Sequence, residues 1–259
     1  TARASAMGGA FGALGADFSV LSTNPAGIGM YKKSEFVLTP NIDSSFTSAT
    51  YQKEMSSDSR YNIGFNNYGM VLAFNTSKKS QENGWMNIQF AFGMNKTATF
   101  NNRINIEGNN IESSIMDVYY ENAKGKTPSE LNEFDTKLAW DAFLLDDPDT
   151  LGYVSYYTPF DGHVKQSKSI TQRGAINEMV FTLGGNYKDF IYLGATIGVP
   201  YLRYVERSTY EEVELDNWYG NDFESLKIQD IIRTTGTGIN LKLGMIVRPT
   251  DWLRLGGAL

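Results

Sequence analysis

The stretch 179–200 constrains the fold most, because apolar residues alternate with small ones on both sides of a short turn at 186–189. After the turn, alternation places one set of side chains on each face of a strand. One face carries Ile191, Leu193, Ala195, Ile197 and Val199, and the other carries Tyr192, Gly194, Thr196 and Gly198. Soluble sheets usually place charged residues on their wet face. An apolar face opposite a small, uncharged polar face instead predicts a strand of a transmembrane barrel, apolar side outward.

The same alternation predicts seven strands in all. They begin near residues 34, 61, 85, 179, 190, 231 and 252, and the last is interrupted by the end of the sequence at 259. Bacterial barrels have an even number of strands. We therefore predict an all-β, transmembrane antiparallel β-barrel of which the 259 residues form the first part. Pro40 cannot donate to a ladder, so we expect it at a strand end, an edge or a bulge.

The predicted connections alternate in length. Long polar stretches at 48–60, 101–172 and 208–230 alternate with short ones at 76–84, 186–189 and 248–251. Long loops at one end and short turns at the other are typical of outer-membrane barrels. Within 101–172, helical spacing and a capping-box pattern at 127–130 predict two amphipathic helices. Their apolar residues would either capture a ligand or pack the helices together: Ile111, Ile115, Tyr119, Leu131, Phe134 and Leu138.

Composition excludes several classes of function. The net charge of −6 gives no basic surface for nucleic acid, and the lack of cysteine removes disulfides, thiolate metal sites and cysteine nucleophiles. The one histidine, His163, lies in a polar stretch, where a solvated loop residue is the simpler interpretation. No apolar run reaches the ~20 residues that a membrane helix needs. We predict no enzyme activity, cofactor or metal. A secreted soluble β protein whose acidic loops bind calcium is a further alternative.

Residues 1–33 differ from the rest because Ala, Gly and Ser dominate and no strand alternation is present. We predict a compact segment with helical turns near 2–7 and 17–21. Asn24 is placed to cap a short turn that begins at Pro25 and ends at Gly27.

This segment resembles the N-terminal plug of the FadL family of outer-membrane transporters for hydrophobic compounds. The matching residues are Ala6-Met7-Gly8-Gly9-Ala10, then Asp17, then Asn24-Pro25-Ala26-Gly27. The resemblance implies a barrel of 14 strands in a Gram-negative outer membrane, reached through a signal peptide absent from this sequence. Residues 1–33 would form a hatch inside the barrel, and 34–259 its first seven strands.

The resemblance also implies passive uptake of molecules such as long-chain fatty acids or aromatic hydrocarbons. Loops would capture the ligand, the hatch motif 24–27 would gate it, and it would leave sideways into the membrane. A kink beside the hatch would fall at Gly93 to Asn95, since glycine within a strand often marks a bulge. PorV-like proteins, which serve a secretion system, share the motif. The implied partners are membrane lipids and a hydrophobic ligand, with a protein at the long loops in the alternative.

Overall fold

A computed structural model describes residues 1–76, 78, 82–146, 153, 162–215 and 223–259. Its described residues form nine strands in one antiparallel sheet: β1 Glu35–Tyr51, β2 Glu54–Asn75, β3 Trp85–Thr99, β4 Asn102–Asn110, β5 Val164–Tyr187, β6 Ile191–Glu214, β7 Ser225–Thr237, β8 Asn240–Thr250 and β9 Leu253–Ala258. In the described part of the chain, α-helices include α1 Ala2–Ala6, α2 Ile115–Ala123 and α3 Thr136–Asp141, and 3₁₀ helices include Phe18–Ser22 and Pro25–Met30.

The nine strands occupy seven positions in a curled half-barrel sheet, as the alternation predicts. The order of neighbours is β1-β2-β3-β5-β6-β8-β9. β3 and β4 both pair with β5 and are separated by a break at 100–101. β7 and β8 both pair with β6 and are separated by a break at 238–239. The strand predicted at 231–247 is therefore divided between β7 and β8, which share one position in the sheet beside β6. Pro40 lies on the edge strand β1 at a register shift that leaves Asn66 of β2 unpaired, so its predicted position is confirmed.

The two faces of the sheet differ as the alternation predicts. One row of directly paired residues crosses six strands on the outer face: Phe36, Met70, Phe92, Phe181, Ile197 and Leu241. All but Met70 are exposed. The neighbouring row on the inner face includes Thr182 and Thr196, which are fully buried and joined through their hydroxyls at 2.7 Å. A continuous exposed apolar surface of this kind marks contact with a membrane or a partner.

Three predicted loops are partly strand. β1 and β2 continue to a two-residue turn at Gln52 and Lys53, both with positive φ, so 48–60 is a hairpin tip. The excursion predicted at 101–172 shortens to 111–163, and the one at 208–230 shortens to 215–224. These strand ends are more polar than the strands that the alternation identifies, and their apolar alternation is confined to pairs such as Ile104 with Ile106 and Leu226 with Ile228. Side chains hold them instead: Thr47 Oγ1 donates to the Arg103 carbonyl at 2.6 Å.

The connection 111–163 carries a small helical cap with its own core. The prediction of a helix near 111–119 is confirmed by α2, whose capping box is Ser114 with Asp117. The pattern at 127–130 forms a turn instead, in which the Glu130 carboxylate accepts from Thr127 N and Oγ1 at 2.9 Å each. The second helix, α3, begins only at Thr136. The core of the cap includes Met116, Ala123, Leu131, Ala139, Leu145, Tyr153, Phe223 and Leu226.

Candidate functional site

Residues 1–33, here called the hatch segment, lie on the inner face of the sheet. The Asn24 side chain organises the hatch motif: its Oδ1 accepts from Ala26 N at 3.1 Å, and its Nδ2 donates to the Gly12 carbonyl at 2.6 Å. This confirms Asn24 as the cap of a helix that begins at Pro25, although the helix continues past Gly27 to Met30. Asn24 and the residues from Pro25 to Gly29 are all buried, so the hatch motif is the part of the hatch segment that packs against the sheet.

A second cap, Asp17, holds the preceding 3₁₀ helix. Its Oδ1 accepts from Ser19 N at 3.0 Å and from Ser19 Oγ at 2.6 Å, and its Oδ2 accepts from Thr1 Oγ1 at 2.5 Å. Burial raises the pKa of this carboxyl, but the hydrogen bonds outweigh burial and leave the pKa below its ordinary value. Asp17 is therefore anionic when the hatch segment is folded at neutral pH.

Three glycines, here called the glycine seat, make room for the hatch motif. Gly184 of β5, Gly194 of β6 and Gly244 of β8 pair directly with one another in a single row. A Cβ at these positions would lie 2.2 Å from Ile28 Cγ2, 2.2 Å from the Pro25 carbonyl oxygen and 2.1 Å from Asn24 Oδ1. A Cβ at any of the three would collide, so the row is a flat stretch of main chain against which the hatch motif packs.

A second row of two glycines receives Phe18. Gly69 and Gly93 pair across β2 and β3, and a Cβ on either would lie within 2.6 Å of the Phe18 ring. Gly93 pairs regularly with both neighbouring strands, and the register of β3 against β5 shifts between Trp85 and Asn87 and between Lys96 and Ala98. A kink at Gly93 to Asn95 stays a prediction. Together with Gly69, Gly93 makes room for the Phe18 ring.

A chain of polar side chains ties the hatch segment to the wall. Asn95 Nδ2 donates to Ser22 Oγ at 2.9 Å and to the Phe18 carbonyl at 3.4 Å. Ser22 also lies near Glu178, a buried carboxylate of β5 whose Oε1 accepts from Asn240 Nδ2 at 2.8 Å. Lys242 of β8 pairs with Glu178, so the lysine meets a counter-charge rather than bulk water. At the other end, Gln89 Nε2 donates to the Tyr31 carbonyl at 2.9 Å.

The outer face carries an apolar groove directly behind the glycine seat. The groove has a volume of about 590 Å³, and its lining includes all three seat glycines. Around them stand mostly large apolar side chains: Trp85, Ile88, Leu183, Leu193, Ala195 and Leu243. A side chain at any of the three positions would point toward the hatch motif, and glycine has none. Only main chain therefore separates the groove from the hatch motif.

The predicted capture residues do not form one surface. Leu131 lies in the core of the cap, and Ile115 and Tyr119 pack against that core. Ile111, Phe134 and Leu138 are exposed. Sequence reasoning also missed both glycine rows and the Glu178–Lys242 pair. The available signal was glycine on the inner face of successive strands, which becomes a row only once the register is known.

Comparison with known proteins gives no relative: no family model, no curated protein and no solved structure matches this chain. Among the described residues, no helix combines the length and the hydropathy needed to cross a membrane. Those residues also bring together no group of three or more His, Cys, Asp or Glu side chains that could hold a metal ion.

Proposed function

We propose that this chain forms half of an outer-membrane β-barrel that lets small hydrophobic molecules, such as long-chain fatty acids or aromatic hydrocarbons, pass without an energy source. One observation carries the proposal: the sheet exposes an apolar outer face and uses its inner face to seat a segment of small residues. The FadL-like motif at 24–27 lies in that seat. In the complete barrel of 14 strands, further strands would pair with the edges β1 and β9, since unpaired edges are liabilities.

The dimensions of the outer face fit a bilayer. The stretch from Phe190, just before β6, to Tyr201 covers about 36 Å, which a tilt of about 45° reduces to a height of about 25 Å. Phe74, Trp85 and Trp252 are exposed near the short turns, as expected for an aromatic girdle. β5 and β6 have 24 residues each, and about 9–11 suffice to cross. The polar remainder would project from one side and carry the cap.

The apolar groove suggests where the cargo leaves. It opens on the lipid side of the wall, and the hatch motif lies on the lumen side of the same glycines. A hydrophobic molecule released by movement of the hatch would meet the thinnest part of the wall there. We therefore assign the groove as the lipid-side end of the route.

Two arginine substitutions test the membrane part of the proposal. Leu193 and Val213 lie on the same face of β6 and are both 41 % exposed, but only Leu193 falls within the proposed apolar band. Leu193→Arg in the full-length protein should cost about 2–4 kcal/mol in barrel stability, whereas Val213→Arg should cost about 0–1 kcal/mol. The measurement is reversible unfolding in lipid vesicles. Equal costs at the two positions would refute the assignment of the band.

Filling the groove tests the transport part. Ala195→Phe places a ring in the groove, and Val199→Phe, two rungs along the same face of β6, does not. Uptake of a fluorescent long-chain fatty acid by cells making the full-length protein should fall severalfold for Ala195→Phe and stay unchanged for Val199→Phe. Wild-type cells that take up no more than cells lacking the protein would refute the transport function.

A second candidate function is a PorV-like scaffold that binds a protein partner. The observation that favours it is the cap, where Phe134 is 85 % exposed and Leu138 and Phe143 are exposed as well. Phe134→Ser leaves the core of the cap intact. If this change removes a co-purifying partner while fatty-acid uptake is absent from the wild type, the scaffold function is supported instead.

A further inference from the structure

A second cavity, here called the polar chamber, lies between the hatch segment and strands β2 and β3. It has a volume of about 540 Å³, room for roughly 18 water molecules at about 30 Å³ each. Ser19 and Ser22 line it from the hatch segment, and Asn66, Asn67, Asn95 and Thr99 line it from the wall. Asn66 reaches the chamber because it is the extra residue at the bulge opposite Pro40.

Two buried amide oxygens in the lining have no protein partner. Asn67 is 2 % exposed and Asn95 is 5 % exposed. The amide nitrogen of Asn95 is used by the hatch segment, but no donor among the described residues reaches Oδ1 of Asn95, Oδ1 of Asn67 or Oδ2 of Asp43. A buried acceptor left without a hydrogen bond costs about 1–3 kcal/mol. The chamber is therefore built for an occupant that donates hydrogen bonds.

The chemistry of the lining separates this chamber from the apolar groove. Alanine is the largest apolar residue among the described residues that line it. Asp43 and Lys96 place one charge of each sign on the wall, so the lining favours neither cations nor anions. Hydroxyl and amide groups supply the remaining polar contacts. The occupant that fits is small, uncharged and rich in hydroxyl groups.

We propose that the polar chamber is a hydrophilic route past the hatch segment, which admits water and small polyhydroxylated solutes independently of the hydrophobic cargo. The inference rests on the proposed barrel, because the chamber then opens within its lumen. Asn67 and Asn95 accept hydrogen bonds from the solute. Because Ser19 and Ser22 form one wall, the route stays open while the hatch motif remains on the glycine seat.

Osmotic swelling of liposomes that contain the full-length protein tests this route. Glycerol and arabinose should enter at least threefold faster than into protein-free liposomes, and a trisaccharide should not. These 259 residues contain no cysteine, so Asn66→Cys introduces the one thiol of this half of the proposed barrel, and any cysteine in the remainder of the full-length protein is first replaced by serine. Modification of the new thiol by a bulky hydrophilic thiol reagent should reduce swelling at least twofold. Val213→Cys, exposed on the outer face beyond the proposed apolar band, is the control, and its treatment should change nothing.

Asn67→Leu separates a transport role from a structural one. Removing an acceptor that has no protein partner should leave the melting temperature unchanged or raise it, while arabinose swelling falls at least twofold. A lower melting temperature with unchanged swelling would show a structural asparagine and overturn the proposal. Absence of wild-type swelling with fatty-acid uptake intact would overturn the polar route alone. Absence of both would remove the proposed function as well.

Discussion

Gly194→Ala is the change that most directly tests the glycine seat. The added methyl carbon would lie 2.2 Å from the Pro25 carbonyl oxygen and 2.6 Å from Ala26 N. Ordinary contact begins near 3.4 Å, so one side must retreat by about 1 Å. The colliding atoms are main chain, and no rotamer change can relieve them. The β6 backbone is fixed by pairing with β5 and β8, and hence we expect the hatch motif to move.

The size of the effect follows from overpacking. Inserting a methyl group into a packed site typically costs about 1–3 kcal/mol. A cost of that size in the seated state alone raises the unseated population by roughly 5- to 150-fold. The wall should remain folded, because its strands make the same hydrogen bonds in both states.

Hydrogen–deuterium exchange on the full-length protein measures this population through the amides of 20–31. These amides should exchange faster in Gly194→Ala by a factor in the same range, and those of β5 should not change. Gly236→Ala is the matched control, because the nearest atom to its added carbon is Leu202 Cβ at 4.0 Å. Unchanged exchange at 20–31, or an equal increase in Gly236→Ala, would refute the seat.

Two further predictions concern charge. Glu178→Gln leaves the partly buried Lys242 ammonium without its counter-charge and should cost about 1–3 kcal/mol of stability. The added change Lys242→Met should restore much of this loss. Thermal unfolding of the single and double variants checks this, and a full loss in both would contradict it. The Asp17 carboxyl has a folded-state pKa below its ordinary value of 3.8, so its caps are complete above about pH 4 and are lost as the pH falls through the lower folded value. The protection of the amides at 18–22, corrected for the pH dependence of intrinsic exchange, should therefore fall only below about pH 4. Asp17→Ala removes a cap worth about 1 kcal/mol and should lower this protection above about pH 4, with little further effect once the pH has fallen through the folded-state pKa.

The features that sequence predicts are local ones. Alternation assigned the faces of β6 correctly, because side-chain direction on a strand depends only on position along it. The same holds for Asn24, whose cap involves an amide two residues away. Pro40 was placed at an edge or bulge because its missing N–H excludes the other positions.

The features that sequence missed depend on distant partners. The hairpin tip at 48–60 is polar on both faces, and its strands become visible only through their pairing and through bonds such as Thr47 to Arg103. The N-terminus of α2 is fixed by Glu212 of β6, which accepts from Ile115 N at 2.8 Å. The pattern at 127–130 had the residues of a capping box but closed a turn, so the pattern alone did not determine a helix.

The glycine seat shows how register turns composition into a site. Gly184 and Gly194 face each other because the turn between β5 and β6 sets their pairing, and Gly244 joins the row only through the register of β8. The hatch motif and the apolar groove then contact opposite sides of the same main chain. A bulky residue at Gly194 displaces the hatch motif, which gates the cargo in the proposed function, whereas Ala195→Phe fills the groove alone. Hatch exchange and cargo uptake should change together in the first case, and only uptake should change in the second.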